Sequence, residues 1–156
     1  MDIRTELREG DVDAVASLHG TTYAREHGFD HSFEQYVREP LARFAENPVG
    51  GRVWLAEEGG RLVGCIAIVP GEEGWAQLRW FLVSPETRGQ GLGRRLMGEA
   101  LAFARERGYP GVYLWTVSAL ERAASLYRAA GFALVEEKPG AWGAAVLEQK
   151  YDLRLR

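Results

Sequence analysis

The chain has 156 residues, 46% of them apolar, enough for one domain with a full core and too few for two ordinary ones. A net charge of -3, with no basic run longer than Arg94-Arg95, argues against nucleic acid as a partner. No stretch approaches ~18 consecutive apolar residues, and the charged N-terminus (Asp2, Arg4, Glu6, Arg8) has no signal-peptide core, so a cytoplasmic protein with no membrane partner is expected.

The single cysteine, Cys65, lies in the apolar run 62–69 and reads as a small buried hydrophobe rather than a nucleophile. Seventeen arginines against two lysines suggest a GC-rich or heat-adapted bacterial source.

In chain order, Ile3, Thr5 and Leu7 alternate with Arg4, Glu6 and Arg8, which predicts a half-buried first strand over 3–8. Gly10-Asp11 opens a helix with Val12, Val15, Ala16 and Leu18 at helical spacing, stopping at His27-Gly28. Asp30 or Ser32 caps a second helix carrying Phe33, Tyr36, Val37, Leu41 and Phe44, interrupted and bent at Pro40. After the loop 47–51 the pattern becomes extended. Strands are predicted over 53–56 and 62–69, joined by a tight hairpin through Gly59-Gly60. A turn over 70–74 leads to a fourth strand, 75–83, with Ala76, Leu78, Trp80 and Leu82 on one face and Gln77, Arg79, Phe81 and Val83 on the other.

A third helix runs from Gly91 to about Arg107, with Leu92, Leu96, Ala100 and Phe103 on one stripe and Gly108 as its stop. A short apolar strand over 112–117, a last helix over 121–130 closed by Gly131, and strands over 132–136 and 144–153 complete the chain. The order β-α-α-β-β-β-α-β-α-β-β predicts one α/β domain over 1–156. Its mixed, mostly antiparallel sheet has about seven strands, with helices on both faces. The fourth strand, third helix and fifth strand form a βαβ crossover, which places ligands at the carboxyl ends of its strands.

The segment Val83-Ser84-Pro85-Glu86-Thr87-Arg88-Gly89-Gln90-Gly91-Leu92-Gly93-Arg94-Arg95 lies at that end. Its glycines let a ligand approach the backbone, and the first turn of the following helix adds unpaired amides and a positive dipole end, which suits a phosphate or diphosphate. A Walker loop would need Gly-Lys-Ser/Thr where Arg94-Arg95 stand. A dinucleotide loop would need glycine at 94 and an acidic residue about 20 positions on, where Trp115 and Thr116 lie.

Arg88-x-x-Gly91-x-Gly93 after a strand does resemble the acyl-coenzyme A motif of the Gcn5-related N-acetyltransferases (GNAT), as do Leu114-Trp115-Thr116 and the segment 123–132 around Tyr127. The element order is similar to that family's fold. Segments 23–30 and 114–116 are similar to the acetyltransferase half of bacterial proteins that fuse a MarR-type regulator to such a domain; no DNA-binding role is carried over.

The resemblance implies acetyl-CoA as cosubstrate. It implies pantetheine paired to the backbone at Leu82 and Val83, and the diphosphate on amides of Arg88, Gly89, Gln90, Gly91, Leu92 and Gly93, with Arg94 and Arg95 near the nucleotide phosphates. Tyr127 would be the acid that protonates the thiolate. Leu120 stands where many relatives carry an asparagine that contacts the coenzyme; Ser118 is a candidate substitute.

The implied partner is a small-molecule or peptide amine. Tyr23, Phe29, Phe33 and Trp142 are candidates for an aromatic, partly acidic acceptor pocket that favours a cationic amine. No base is legible among Glu72, Glu73, Asp30 and His27, and a water chain is an alternative. No metal is expected, because Gly28 spoils a shared face for His27 and His31. A non-catalytic acyl-CoA sensor is the alternative reading, and a homodimer is left open.

Overall fold

The central strands are apolar on both sides because each face of the sheet carries its own helical layer. The computed structural model describes residues 1–30, 32–140 and 147–156. The elements are β1 (Asp2–Arg4), α1 (Asp11–His27), α2 (Ser32–Glu46), β2 (Arg52–Glu58), β3 (Arg61–Pro70), β4 (Ala76–Val83), α3 (Leu92–Glu106), β5 (Gly111–Val117), α4 (Glu121–Ala129), β6 (Ala133–Pro139) and β7 (Leu147–Arg154). They build a seven-stranded sheet in the order β1-β2-β3-β4-β5-β7-β6, antiparallel except for the β4–β5 pair. This is the expected fold class and element order.

Strand alternation sends side chains to two cores. Trp54, Ile66 and Ile68 meet the α3 stripe of Leu92, Leu96, Ala100 and Phe103 on one face. Val53, Leu55, Cys65 and Ala67 meet Val15 and Ala16 of α1 and Val37 and Leu41 of α2 on the other. The hairpin between β2 and β3 turns at Gly59 and Gly60, whose φ values of 60° and 78° suit a tight turn matched to strand twist.

Two expectations about boundaries are corrected. The first strand ends at Arg4 rather than residue 8. The Arg4 guanidinium turns to Asp11 (2.7 Å) and Glu57 (3.0 Å), tying the chain to α1 and β2 and ending the alternation. α2 runs through Pro40 without interruption. A proline inside a helix forfeits a backbone bond at about 3 kcal/mol, but burying Phe33, Val37 and Leu41 at about 2 kcal/mol each outweighs that. The expected start of the last strand at 144, together with Trp142, lies outside the described residues.

The largest departure is in β4. Cys65 faces Leu82 and Ala67 faces Arg79, so the span 79–82 on β4 opposes only 65–67 on β3. This is a β-bulge, with Trp80 at a φ of 51°. Two side chains meet its carbonyls: Cys65 Sγ–H donates to Trp80 O (3.1 Å) and the Tyr23 hydroxyl to Phe81 O (3.5 Å). The extra residue breaks the expected alternation. Ala76 and Leu78 share a core with Phe81, while Trp80 and Leu82 turn to the α1–α2 side. β4 and β5 pair only at Ala76↔Val112 and Gln77↔Tyr113 and then part.

Candidate active site

The parting of β4 from β5 opens a cleft of about 910 Å³. Leu82 and Val83 line one wall, paired to β3 on one edge and facing the gap on the other. The first turn of α4, Glu121 to Ala123, lines the opposite wall. Across the mouth lie Arg88, Gly89, Gly91, Leu92, Gly93 and Arg94. Gly89 and Gly91 both have a φ of 82°, and a Cβ at either would meet no protein atom within 4 Å, so the loop presents bare backbone to open space. The first helical bond of α3 runs from Arg95 N–H to Gly91 O (3.0 Å), leaving the amides of Leu92, Gly93 and Arg94 without intrahelical acceptors.

Three expected cradle residues stand differently. The Arg88 amide is turned to Pro85 O (3.4 Å), and its guanidinium forms a two-pronged pair with Glu26 of α1, both bonds 2.8 Å. That bond holds the Glu26 carboxyl below the usual carboxylate range and the Arg88 guanidinium above its ordinary value. Gln90 and Arg95 are exposed and do not line the cleft.

Behind the cleft, between β4, β5 and the α1–α2 pair, lies a smaller cavity of about 100 Å³. Tyr23, Phe81 and Leu120 border both spaces. Tyr127 of α4 is buried against Phe81, Phe132 and Tyr151, with ring centres 5.8–6.0 Å away, and lines this inner cavity. Burial pushes its hydroxyl above the ordinary tyrosine range, and Tyr151 adds to the effect; Tyr23 is pushed the same way, by burial and then by Tyr127.

Residues 13–132 match the model of the acetyltransferase (GNAT) family. The chain belongs to that family. It is similar to an uncharacterized N-acetyltransferase of Schizosaccharomyces pombe, 31% identical over 73% of this chain and 72% of that protein. It is also similar to rat N-acetyltransferase family 8 member 2, 42% identical over 53% of this chain but only 38% of the rat protein's length. The fold matches a Salmonella typhimurium protein assigned as an acetyltransferase and solved with its cofactor acetyl-CoA, with a TM-score of 0.74 at 20% identity, covering 100% of this chain and 94% of that one.

In this GNAT domain the expected acceptor residues divide. Tyr23 and Phe33 line the inner cavity. Phe29 lines neither space; it packs behind them, 5.8 Å from Tyr23 and 5.3 Å from Phe33. Trp142 and His31 fall outside the described residues. The expected acidic character is absent: no Asp or Glu is among the described residues lining the inner cavity, and Glu72, Glu73 and Asp30 are exposed and border neither space. Ser118 Oγ accepts the Leu147 N–H (2.9 Å), which ties the candidate substitute for the missing asparagine to β7. Among the described residues, no group of three or more His, Cys, Asp or Glu could hold a metal.

Among the cavity residues that sequence reasoning did not single out are His19, Arg79 and Trp80. His19 is buried on the α1 stripe that continues Val15 at the i+4 position, and that spacing was a usable signal. Its Nδ1–H donates to Val15 O (2.9 Å), which leaves Nε2 as a bare acceptor with no partner among the described residues. Trp80 Nε1–H is likewise buried, with no acceptor among the described residues. Nothing in the sequence signals that the bulge turns the indole toward this cavity.

Proposed function

We propose that the protein is an acetyl-CoA-dependent N-acetyltransferase that acts on a primary amine, of a small molecule or a peptide, by direct attack within a ternary complex. One observation carries this reading: a cleft whose mouth is bare glycine backbone and unpaired helix amides shares the wall of Tyr23, Phe81 and Leu120 with a smaller cavity lined by a buried tyrosine. The fit to the cosubstrate rests on those amides and on the free edge of Leu82 and Val83. Acetyl-CoA would supply an activated acyl group and a thiolate leaving group.

The chain's own residues then have separate tasks. The amides of Gly89, Gly91, Leu92 and Gly93, with the positive end of α3 and the Arg94 side chain, hold and neutralise the diphosphate. Tyr127 carries its proton at neutral pH, as any tyrosine does, and burial holds it more firmly still; it offers that proton to the departing sulfur. A thiolate brought against the buried Tyr127 is desolvated as well, which narrows the mismatch between donor and acceptor. A bacterial, cytoplasmic setting is our reading of the arginine-rich composition and the single thiol. The likeness to the MarR-fused acetyltransferases rests on segments 23–30 and 114–116, the first of which supplies Tyr23, Glu26 and His27 to the cleft.

The test is free-thiol release from acetyl-CoA across a panel of primary amines, with and without Tyr127→Phe. Turnover in the variant falls at least about tenfold, within the range typical of general acid catalysis, with acetyl-CoA affinity nearly unchanged. Undiminished turnover removes Tyr127 from the chemistry. Binding of acetyl-CoA with no thiol release from any amine would leave the sensor reading instead.

A further inference from the structure

The charge of the inner cavity is the reverse of what a simple cationic amine requires. Arg79 is the only Asp, Glu, Lys or Arg among its described lining residues. The other partly buried arginines in ion pairs, Arg4, Arg38 and Arg88, each meet a carboxylate. Arg79 has no carboxylate within salt-bridge distance among the described residues; its guanidinium lies over the Trp80 ring, 4.9 Å from the centre. Burial lowers its pKa from the ordinary value. A partly desolvated cation without a counter-ion repels an ammonium ion and attracts a carboxylate.

Two further groups belong to residues that line the same space. Trp80 Nε1–H, on the ring beneath Arg79, is a second buried donor without a partner. His19 Nε2, 3% exposed as a residue, is an acceptor without one, and its tautomer is set by the Nδ1–H bond to Val15. Buried donors and acceptors are normally satisfied, so an unpaired set lining one cavity indicates a ligand that supplies the complementary groups. A neutral imidazole nitrogen accepts an N–H. A guanidinium and an indole N–H together accept an anion.

Resting on the transferase reading above, we propose that the acceptor is a free amino acid or a close analogue with a small apolar or aromatic side chain. Arg79 and Trp80 Nε1–H hold its carboxylate, and His19 Nε2 accepts an N–H of its amine. The walls of Phe33, Val37, Phe81 and Trp115 take the side chain. The modest volume of about 100 Å³ keeps that side chain small.

Two matched pairs test this: leucine against 3-methylbutylamine, and phenylalanine against phenethylamine. Each is titrated calorimetrically into the protein saturated with coenzyme A. In at least one pair the amino acid binds ten or more times tighter than its decarboxylated partner. Arg79→Gln erases that preference and Arg79→Lys retains part of it. His19→Phe weakens both members of the pair alike. Equal affinities within both pairs, or no binding of either amino acid, overturns the proposal.

Thiol release with acetyl-CoA and the same four compounds separates this assignment from the reading beneath it. A preserved carboxylate preference in binding with no thiol release keeps the amino-acid site and removes the transferase. Release that is as fast with the plain amines as with the amino acids keeps the transferase and removes the assignment.

Discussion

His19 is a buried base within a helix, and its burial makes the stability of the domain depend on pH. Desolvation pushes its pKa down to about 4, against an ordinary value of 6.5, while the bond to Val15 O opposes the shift. Because the folded value is depressed, the unfolded chain binds a proton between pH 6.5 and 4 that the folded chain rejects. The contribution is complete above pH 6.5 and is lost as pH falls through that window, to a total of about 3 kcal/mol. Tyr23, Tyr127 and Arg79, which share its cavity, hold their charge state across this range. His19→Phe should therefore flatten the profile. In urea titrations at pH 7.5 and pH 5, wild type should lose about 2 kcal/mol more than the variant, and equal losses would show that His19 is not buried as a neutral ring. At this scale the sequence was a mixed guide. Local motifs singled out Tyr127 and the loop glycines, which lie on the inner cavity and at the cleft mouth respectively, and Cys65 is buried as its apolar run implies. Arg79 and Trp80 were not readable, because which residues meet across a cavity depends on strand register and not on neighbours in the chain.

Between elements, the decisive contact is the start of α3 on β3. A Cβ at Gly64 would meet Leu92 Cδ2 at 2.9 Å, Leu82 O at 3.2 Å and Leu96 Cδ1 at 3.4 Å. Gly64 thus lets the helix that carries the cradle sit directly on the sheet beside the cleft wall. Gly64→Ala should cost about 1–3 kcal/mol through overpacking. It should also weaken acetyl-CoA binding, because the first turn of α3 must shift. Gly98 is the internal control: it lies within α3, and a Cβ there meets nothing within 4 Å. Gly98→Ala should stabilise the fold by up to about 1 kcal/mol and leave binding unchanged. Thermal unfolding of both variants, with and without acetyl-CoA, checks the pair, and an unaltered ligand-induced shift in Gly64→Ala would count against the coupling. The elements themselves were largely legible, since the 3.6-residue stripe of α3 and the paired glycines of the β2–β3 hairpin are local signals. The facing of β4 was not. One extra residue at Trp80 reverses every side chain beyond it, and no residue type there announces the bulge.

For the molecule as a whole, the cleft and the inner cavity are two rooms with a common wall of Tyr23, Phe81 and Leu120. A donor in the first and an acceptor in the second would meet at that wall, so the acyl group need never reside on the protein. The lone thiol supports the same conclusion. Cys65 is fully buried, borders neither space, donates to Trp80 O, and is pushed up to about 12 by burial. At neutral pH roughly one molecule in 10⁵ would carry the thiolate, the only form that attacks a thioester. Initial rates measured over a grid of acetyl-CoA and amine concentrations should therefore give intersecting reciprocal plots, the pattern of a ternary complex. Iodoacetamide applied to the native protein should leave activity intact. Parallel plots, with acetyl-protein trapped when the amine is withheld, would mean that a nucleophile does lie between the two rooms and that the shared wall serves a two-step transfer.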